Sequence, residues 1–118
     1  MIYTLTLNPA LDYDIYMDSF QEGDLNLSKE VNIRAGGKGI NVSKLLANLG
    51  IKSKALGYTA GFTGDFIKKN LYDEGIESDF VELDGRTRIN VKINNNSKET
   101  EIAGLSPKIT KEAEEKLI

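Results

Sequence analysis

The 118 residues contain neither cysteine nor histidine. Without cysteine there is no disulfide, thiol nucleophile or thiolate metal site. Without histidine the commonest general base and the commonest zinc ligand are both missing. Chemistry carried by this chain must therefore use carboxylates, lysine, tyrosine, hydroxyls or backbone groups. Long apolar runs are missing as well. None exceeds three residues, against the roughly 20 that a membrane-spanning helix needs. Basic charge is in the minority, with a net charge of −3 and a pI near 5.0. That balance argues against nonspecific nucleic-acid binding, yet a few local cations could still hold a small anion. The opening Met1-Ile2-Tyr3-Thr4 lacks the charged and apolar regions of a secretory signal. The expected location is the cytoplasm.

What is present suits one soluble domain. Hydrophobic residues make up 40% and charged residues 28%, ordinary values for a globular protein. A chain of this length can bury about two thirds of its unfolded surface. Tyr3, Leu5 and Leu7 alternate with Thr4 and Thr6, which predicts a strand closed by Asn8-Pro9. Tyr13, Ile15 and Met17 alternate next, leaving Asp12 at the mouth between two strands. A weaker strand is expected over 27–33. Val42, Leu45, Leu46 and Leu49 recur at helical spacing, with Gly50 as the stop. A buried strand over 53–59, a helix over 62–74 with Phe66, Ile67 and Leu71 inward and Gly75 as its stop, and a short strand over 80–83 follow. Ile89, Val91 and Ile93 alternate into a loose turn at Asn94-Asn95-Asn96-Ser97, reading as an antiparallel hairpin that returns over 99–103. Thr110 caps a final short helix. The class is α/β with a small antiparallel sheet appended.

Ala35-Gly36-Gly37-Lys38-Gly39 opens the clearest helix. A P-loop would need Ser or Thr after the lysine, where Gly39 stands, and a glycine at Asn32. A dinucleotide fingerprint would need a small glycine at Val42. Both nucleotide readings are weak. Glycines before a helix still allow a ligand close to the backbone, and the helix start offers free N–H groups and partial positive charge. Lys38 adds a mobile cation and Asn41 an amide that donates and accepts. The plainer alternative is a glycine-rich strand-to-helix turn with a solvated lysine.

Gly36-Gly37-Lys38-Gly39-Ile40-Asn41-Val42-Ser43, followed by Leu49-Gly50, resembles the N-terminal signature of the PfkB (ribokinase-like) family. Residues 4–12, reading Thr-Leu-Thr-Leu-Asn-Pro-Ala-Leu-Asp, resemble the opening of its phosphosugar kinases. Residues 57–64 resemble its next glycine-rich turn. Gly85-Arg86-Thr87-Arg88-Ile89-Asn90-Val91-Lys92 is most similar to the 1-phosphofructokinase branch. The likeness covers about residues 1–107, and tagatose-6-phosphate kinases share most of these features. It weakens past Ala103, where Gly104-Leu105-Ser106-Pro107 departs from the Pro-Gly-Pro turn of many members.

The resemblance implies a ribokinase-like α/β layer with a small antiparallel lid, its strands at about 12–34 and 86–103, over a phosphosugar. It implies that residues 1–118 are the N-terminal, sugar-binding portion of a kinase domain, with the catalytic base and the ATP and magnesium site in a C-terminal half. The implied activity of the parent is ATP-dependent phosphorylation of fructose 1-phosphate to fructose 1,6-bisphosphate. The alternatives are a tagatose-6-phosphate kinase, or a non-catalytic sugar-phosphate binding module for these residues alone. The implied sugar ligands are Asp12, Gly36, Gly37, Lys38, Asn41 and Arg88, with no catalytic residue and no metal ligand among them. Asp12 would accept hydrogen bonds from sugar hydroxyls, and Arg88 would grip the phosphate through parallel charge-assisted bonds. Asp12 could equally be a turn or cap residue, and Arg88 a solvated edge-strand charge. Asn90 is read as a surface residue. Lid sheets of the family often pair between protomers, so a homodimer is a further implication, with no nucleic acid or membrane as partner.

Overall fold

A computed structural model describes residues 1–117. Its elements run β1 (Ile2–Thr6), β2 (Ala10–Met17), β3 (Glu30–Gly36), α1 (Lys38–Asn48), β4 (Ser53–Ala60), α2 (Gly61–Asp73), β5 (Glu77–Leu83), β6 (Arg88–Asn95), β7 (Lys98–Ile102) and α3 (Lys111–Leu117). They form two sheets. One is parallel and three-stranded, in the order β1-β4-β5; the other is four-stranded, in the order β3-β2-β6-β7. The radius of gyration is 15.7 Å, above the roughly 13.5 Å of a compact domain of this length. The excess reflects a flat shape, 46 × 35 × 19 Å.

The α/β layer is as expected. Gly50 and Gly75 end their helices at φ of 76° and 75°. After α1, the N–H of Gly50 donates to the Ala47 carbonyl and that of Ile51 to the Leu46 carbonyl; after α2, Gly75 and Ile76 bond Tyr72 and Leu71 in the same way. This pairing satisfies carbonyls that a helix end leaves free. Ile67 and Leu71 of α2 are fully buried with Ala35, Ile40, Ala55 and Ile76. Helix α2 lies on β4 and β5 and also touches β2 and β3, which ties the two sheets together.

On β1 and α1 the more apolar face is the exposed one. On β1, Thr4 and Thr6 are buried while Tyr3 and Leu5 are exposed, as is Leu7 just after the strand. On α1, Val42, Leu45 and Leu49 are exposed, and Ile40 and Ser43 are buried. The cause is how closely α1 sits on the sheet. A Cβ at Gly39 would come within 2.6 Å of the Leu5 carbonyl oxygen. Only small residues fit beneath such a helix, and Gly39, Ser43 and Ala47 supply them at intervals of four. The Ser43 hydroxyl is 2.6 Å from that of Thr4 and accepts from Ser53 at 2.9 Å. Thr4 on the inner face of β1 is therefore hydrogen-bonded rather than merely buried, whereas the Thr6 hydroxyl is buried without a partner among the described residues.

The second sheet departs from the antiparallel lid expected. β2 pairs with β3 and β6 with β7 in antiparallel fashion, but β2 and β6 run parallel. β2 follows β1 and β6 follows β5, two strands that run the same way in the parallel sheet, so both enter the second sheet in one direction. β3 begins at Glu30 rather than Leu27, and β5 at Glu77 rather than Phe80. The β6–β7 hairpin turns at Asn96 and Ser97, with φ of 44° and 61°, the left-handed values a two-residue hairpin loop needs. The Thr110 hydroxyl accepts from the N–H of Ala113 at 3.1 Å and caps α3 as expected. That helix docks: Ala113 and Leu117 pack with Tyr58, Ala60 and Leu83.

Candidate functional site

Alternation along β2 sets Ala10, Asp12 and Asp14 on one face, all buried. β2 lies between β3 and β6, so its register decides what surrounds them. Ala10 stands opposite Gly36 and Arg88; Asp12 stands opposite Arg34 and Asn90. In-register residues share a face, and these two rows bring Arg88, Gly36 and Asp12 onto one surface. Asp12 is thus the third residue of β2, inside the strand rather than at the mouth between two strands.

Asp12 is 6% exposed, and its carboxylate is held from both sides. Asn90 donates its amide to Oδ1 at 3.4 Å, and Arg34 Nη1 stands 3.4 Å from Oδ2. Asn90 is in turn fixed by the N–H of Gly104, which donates to its Oδ1 at 3.1 Å. Asn90 is therefore no surface residue: it is 6% exposed and touches a proposed sugar ligand. Arg34 also donates from Nε to Asp14 at 3.1 Å. Burial pulls the Arg34 pKa down, but the hydrogen bond and charge of Asp14, with the charge of Asp12, outweigh it and hold it above the ordinary value.

Glycine at 36 and 37 has a steric reason. A Cβ on Gly36 would overlap the Asp12 carboxylate, so only glycine leaves room for that group. Gly37 is the N-cap of α1 at φ 129°, and a Cβ there would meet the Thr6 methyl at 2.6 Å. The start of α1 has no side-chain cap and no acid in its first turn. Its free N–H groups and dipole favour an anion. Lys38 follows Gly36 by two residues, and Asn41 lies one turn into α1; both are exposed, and no side-chain partner of either is found among the described residues.

Arg88 is the first residue of β6 and half-buried. Its Nη2 donates to the Asn8 carbonyl at 3.0 Å, while Nε is buried without a partner. The residue before it is pinned. The N–H of Thr87 donates to the Ala60 carbonyl, its hydroxyl accepts from the Ala60 N–H, and its carbonyl accepts from Thr63 at 2.7 Å. Arg86 precedes the strand and is exposed, so it does not share a strand face with Arg88. Three residues of this surface were missed: Asp14, Arg34 and Asn90. The signal was available, because alternation from Asp12 includes Asp14 and alternation from Arg88 includes Asn90. Arg34 needed the register of the β2–β3 pair.

The chain is 53% identical over 110 residues to a 1-phosphofructokinase of Borreliella burgdorferi, covering 93% of this chain and 36% of that one. It is 41% identical over 118 residues to a D-tagatose-1-phosphate kinase of Bacillus licheniformis, covering all of this chain and 38% of that one. Among solved structures it superposes on Escherichia coli phosphofructokinase-2 in complex with substrates and products, with a TM-score of 0.91, 26% identity and coverage of 98% of this chain and 38% of that one. The chain thus spans little more than a third of the length of these relatives. The pfkB family carbohydrate kinase pattern matches residues 5–118, and the chain belongs to that family.

Proposed function

We propose that the whole protein carrying this chain transfers the γ-phosphoryl group of ATP to the 6-hydroxyl of fructose 1-phosphate, and that this segment holds the sugar. One observation carries the reading: a buried carboxylate, a glycine that makes room for it, and a half-buried arginine with an unpaired Nε share one face of a sheet beside an uncapped helix start. The carboxylate accepts from sugar hydroxyls, while Arg88, Lys38 and the helix start attract the phosphate. Asn41 supplies a further donor and acceptor. In the reaction the sugar oxygen bonds the γ-phosphorus as the bond to the bridging oxygen breaks, the hydroxyl proton passes to a base, and ADP leaves. No residue of this chain is assigned as that base. Among the described residues no group of three or more His, Cys, Asp or Glu could hold a metal ion, and no magnesium ligand is assigned to them.

Tagatose 1-phosphate is a second substrate to test, because one relative at 41% identity is named for it. The relatives' names favour a phosphate on C1 over the tagatose 6-phosphate alternative. Val31, Ile33, Ile89 and Ile102 lie exposed on the sheet face opposite Asp12, which supports pairing of two copies through the lid.

Steady-state kinetics of the whole protein with each ketohexose phosphate tests the reading. Arg88→Ala is expected to raise the phosphosugar KM roughly ten- to a hundredfold, the loss of a charge-assisted contact of about 1.5–3 kcal/mol. The KM for ATP should stay within about threefold, because the charge removed faces the sugar phosphate. Arg86→Ala is the control. A larger sugar defect from Arg86→Ala would show that the phosphate lies elsewhere.

A further inference from the structure

Asp12 and Asp14 stand two residues apart on one face of β2, and both are buried. Like charges removed from water on one strand repel, and each needs a compensating donor. The cation that answers both is Arg34, reaching across from β3 with its side chain one-third exposed. Its grip is unequal: Nε donates to Asp14 at 3.1 Å, and Nη1 lies 3.4 Å from Asp12. Asp12 has a second support in Asn90, whereas Asp14 is given no partner but Arg34 among the described residues. A carboxylate offers about four acceptor positions, so Asp12, with one donor on each oxygen, keeps capacity for hydroxyls. The proposed function uses Asp12 and leaves Asp14 and Arg34 without a task.

We infer that Arg34 is a positioning residue: anchored by Asp14, it fixes the Asp12 carboxylate in the orientation that receives the sugar, and so sets the affinity for the phosphosugar. The inference rests on Asp12 being a sugar ligand. Asp14 touches no substrate in this scheme; it removes the rotational freedom that a guanidinium held by one carboxylate would keep.

The test is the phosphosugar KM of the whole protein with fructose 1-phosphate. Arg34→Met should raise it about tenfold, with the KM for ATP unchanged. Asp12→Asn should raise it on its own. With Asp12→Asn already present, Arg34→Met should add less than about twofold, since residues acting through one group are not additive. Arg34→Lys keeps the charge but cannot span both carboxylates, so about a threefold rise should remain at a near-normal unfolding temperature. Full rescue by lysine would reduce Arg34 to charge balance and overturn the inference. So would effects of Arg34→Met and Asp12→Asn that multiply, or an unchanged KM in Arg34→Met. If Arg34→Met fails to fold, Arg34→Lys decides alone, a rise supporting the inference and an unchanged KM overturning it. An unchanged KM in Asp12→Asn is a different result: it removes Asp12 from the sugar site and takes the inference with it.

Discussion

The two sheets bury different things. Beneath α2, the parallel layer buries Ile67, Leu71, Ala55 and Ile76, side chains whose removal from water stabilises the fold directly. The central strand of the other sheet buries Asp12 and Asp14, charges that cost stability unless they are paired. Their compensation is specific: one arginine and one asparagine hold the pair, and a backbone N–H fixes that asparagine. A carboxylate already desolvated and oriented on a rigid strand binds hydroxyls with little further ordering. One region supplies stability, and the other spends part of it on a prearranged polar surface.

The strongest way to break this division is Ile67→Ala, at a site with no exposure. The truncation should cost about 2–5 kcal/mol of unfolding free energy in urea, while the phosphosugar KM of the whole protein stays within about twofold. A KM that rose with the instability would show that the two regions are not separable.

Gly36→Ala should do the reverse. The added methyl overlaps the Asp12 carboxylate, and overpacking of that kind costs about 1–3 kcal/mol. Because the displaced group is the proposed sugar ligand, the loss should be read mainly in phosphosugar KM, by roughly ten- to a hundredfold. An alanine variant with normal KM would mean that the carboxylate can move without consequence. Gly50→Ala sharpens the contrast with the smallest effect. Nothing lies within 4 Å of the added methyl, so only the left-handed φ of 76° is penalised. The cost should be about 1–2 kcal/mol of stability, seen in the unfolding midpoint and absent from KM.

Much of the fold was legible in consecutive residues. Apolar period and stop glycines at 50 and 75 marked both long helices, and the alternation at 89–93 with the turn at 94–97 marked the hairpin. These are local signals, because a helix period or a left-handed turn is a property of a few adjacent residues. The glycine loop and Asp12 were visible as candidates for the same reason: their residue types constrain the backbone or the chemistry wherever they fall.

Which face of an element turns inward was decided by tertiary structure. Val42, Leu45 and Leu49 form a proper apolar stripe, yet α1 turns Gly39, Ser43 and Ala47 toward the sheet, because close approach to the Leu5 carbonyl admits nothing larger. The surroundings of Asp12 were hidden for a related reason. Arg34 is 22 residues from Asp12 in the chain and Asn90 is 78. Neither spacing is periodic, so only the register of β3 and β6 against β2 could bring them to one carboxylate. The sequence by itself determined the kinds of element and their order, the glycine stops of the two long helices and the residue types whose chemistry suits a sugar phosphate. Tertiary structure alone decided which charges meet, since burial and strand register depend on contacts between residues far apart in the chain.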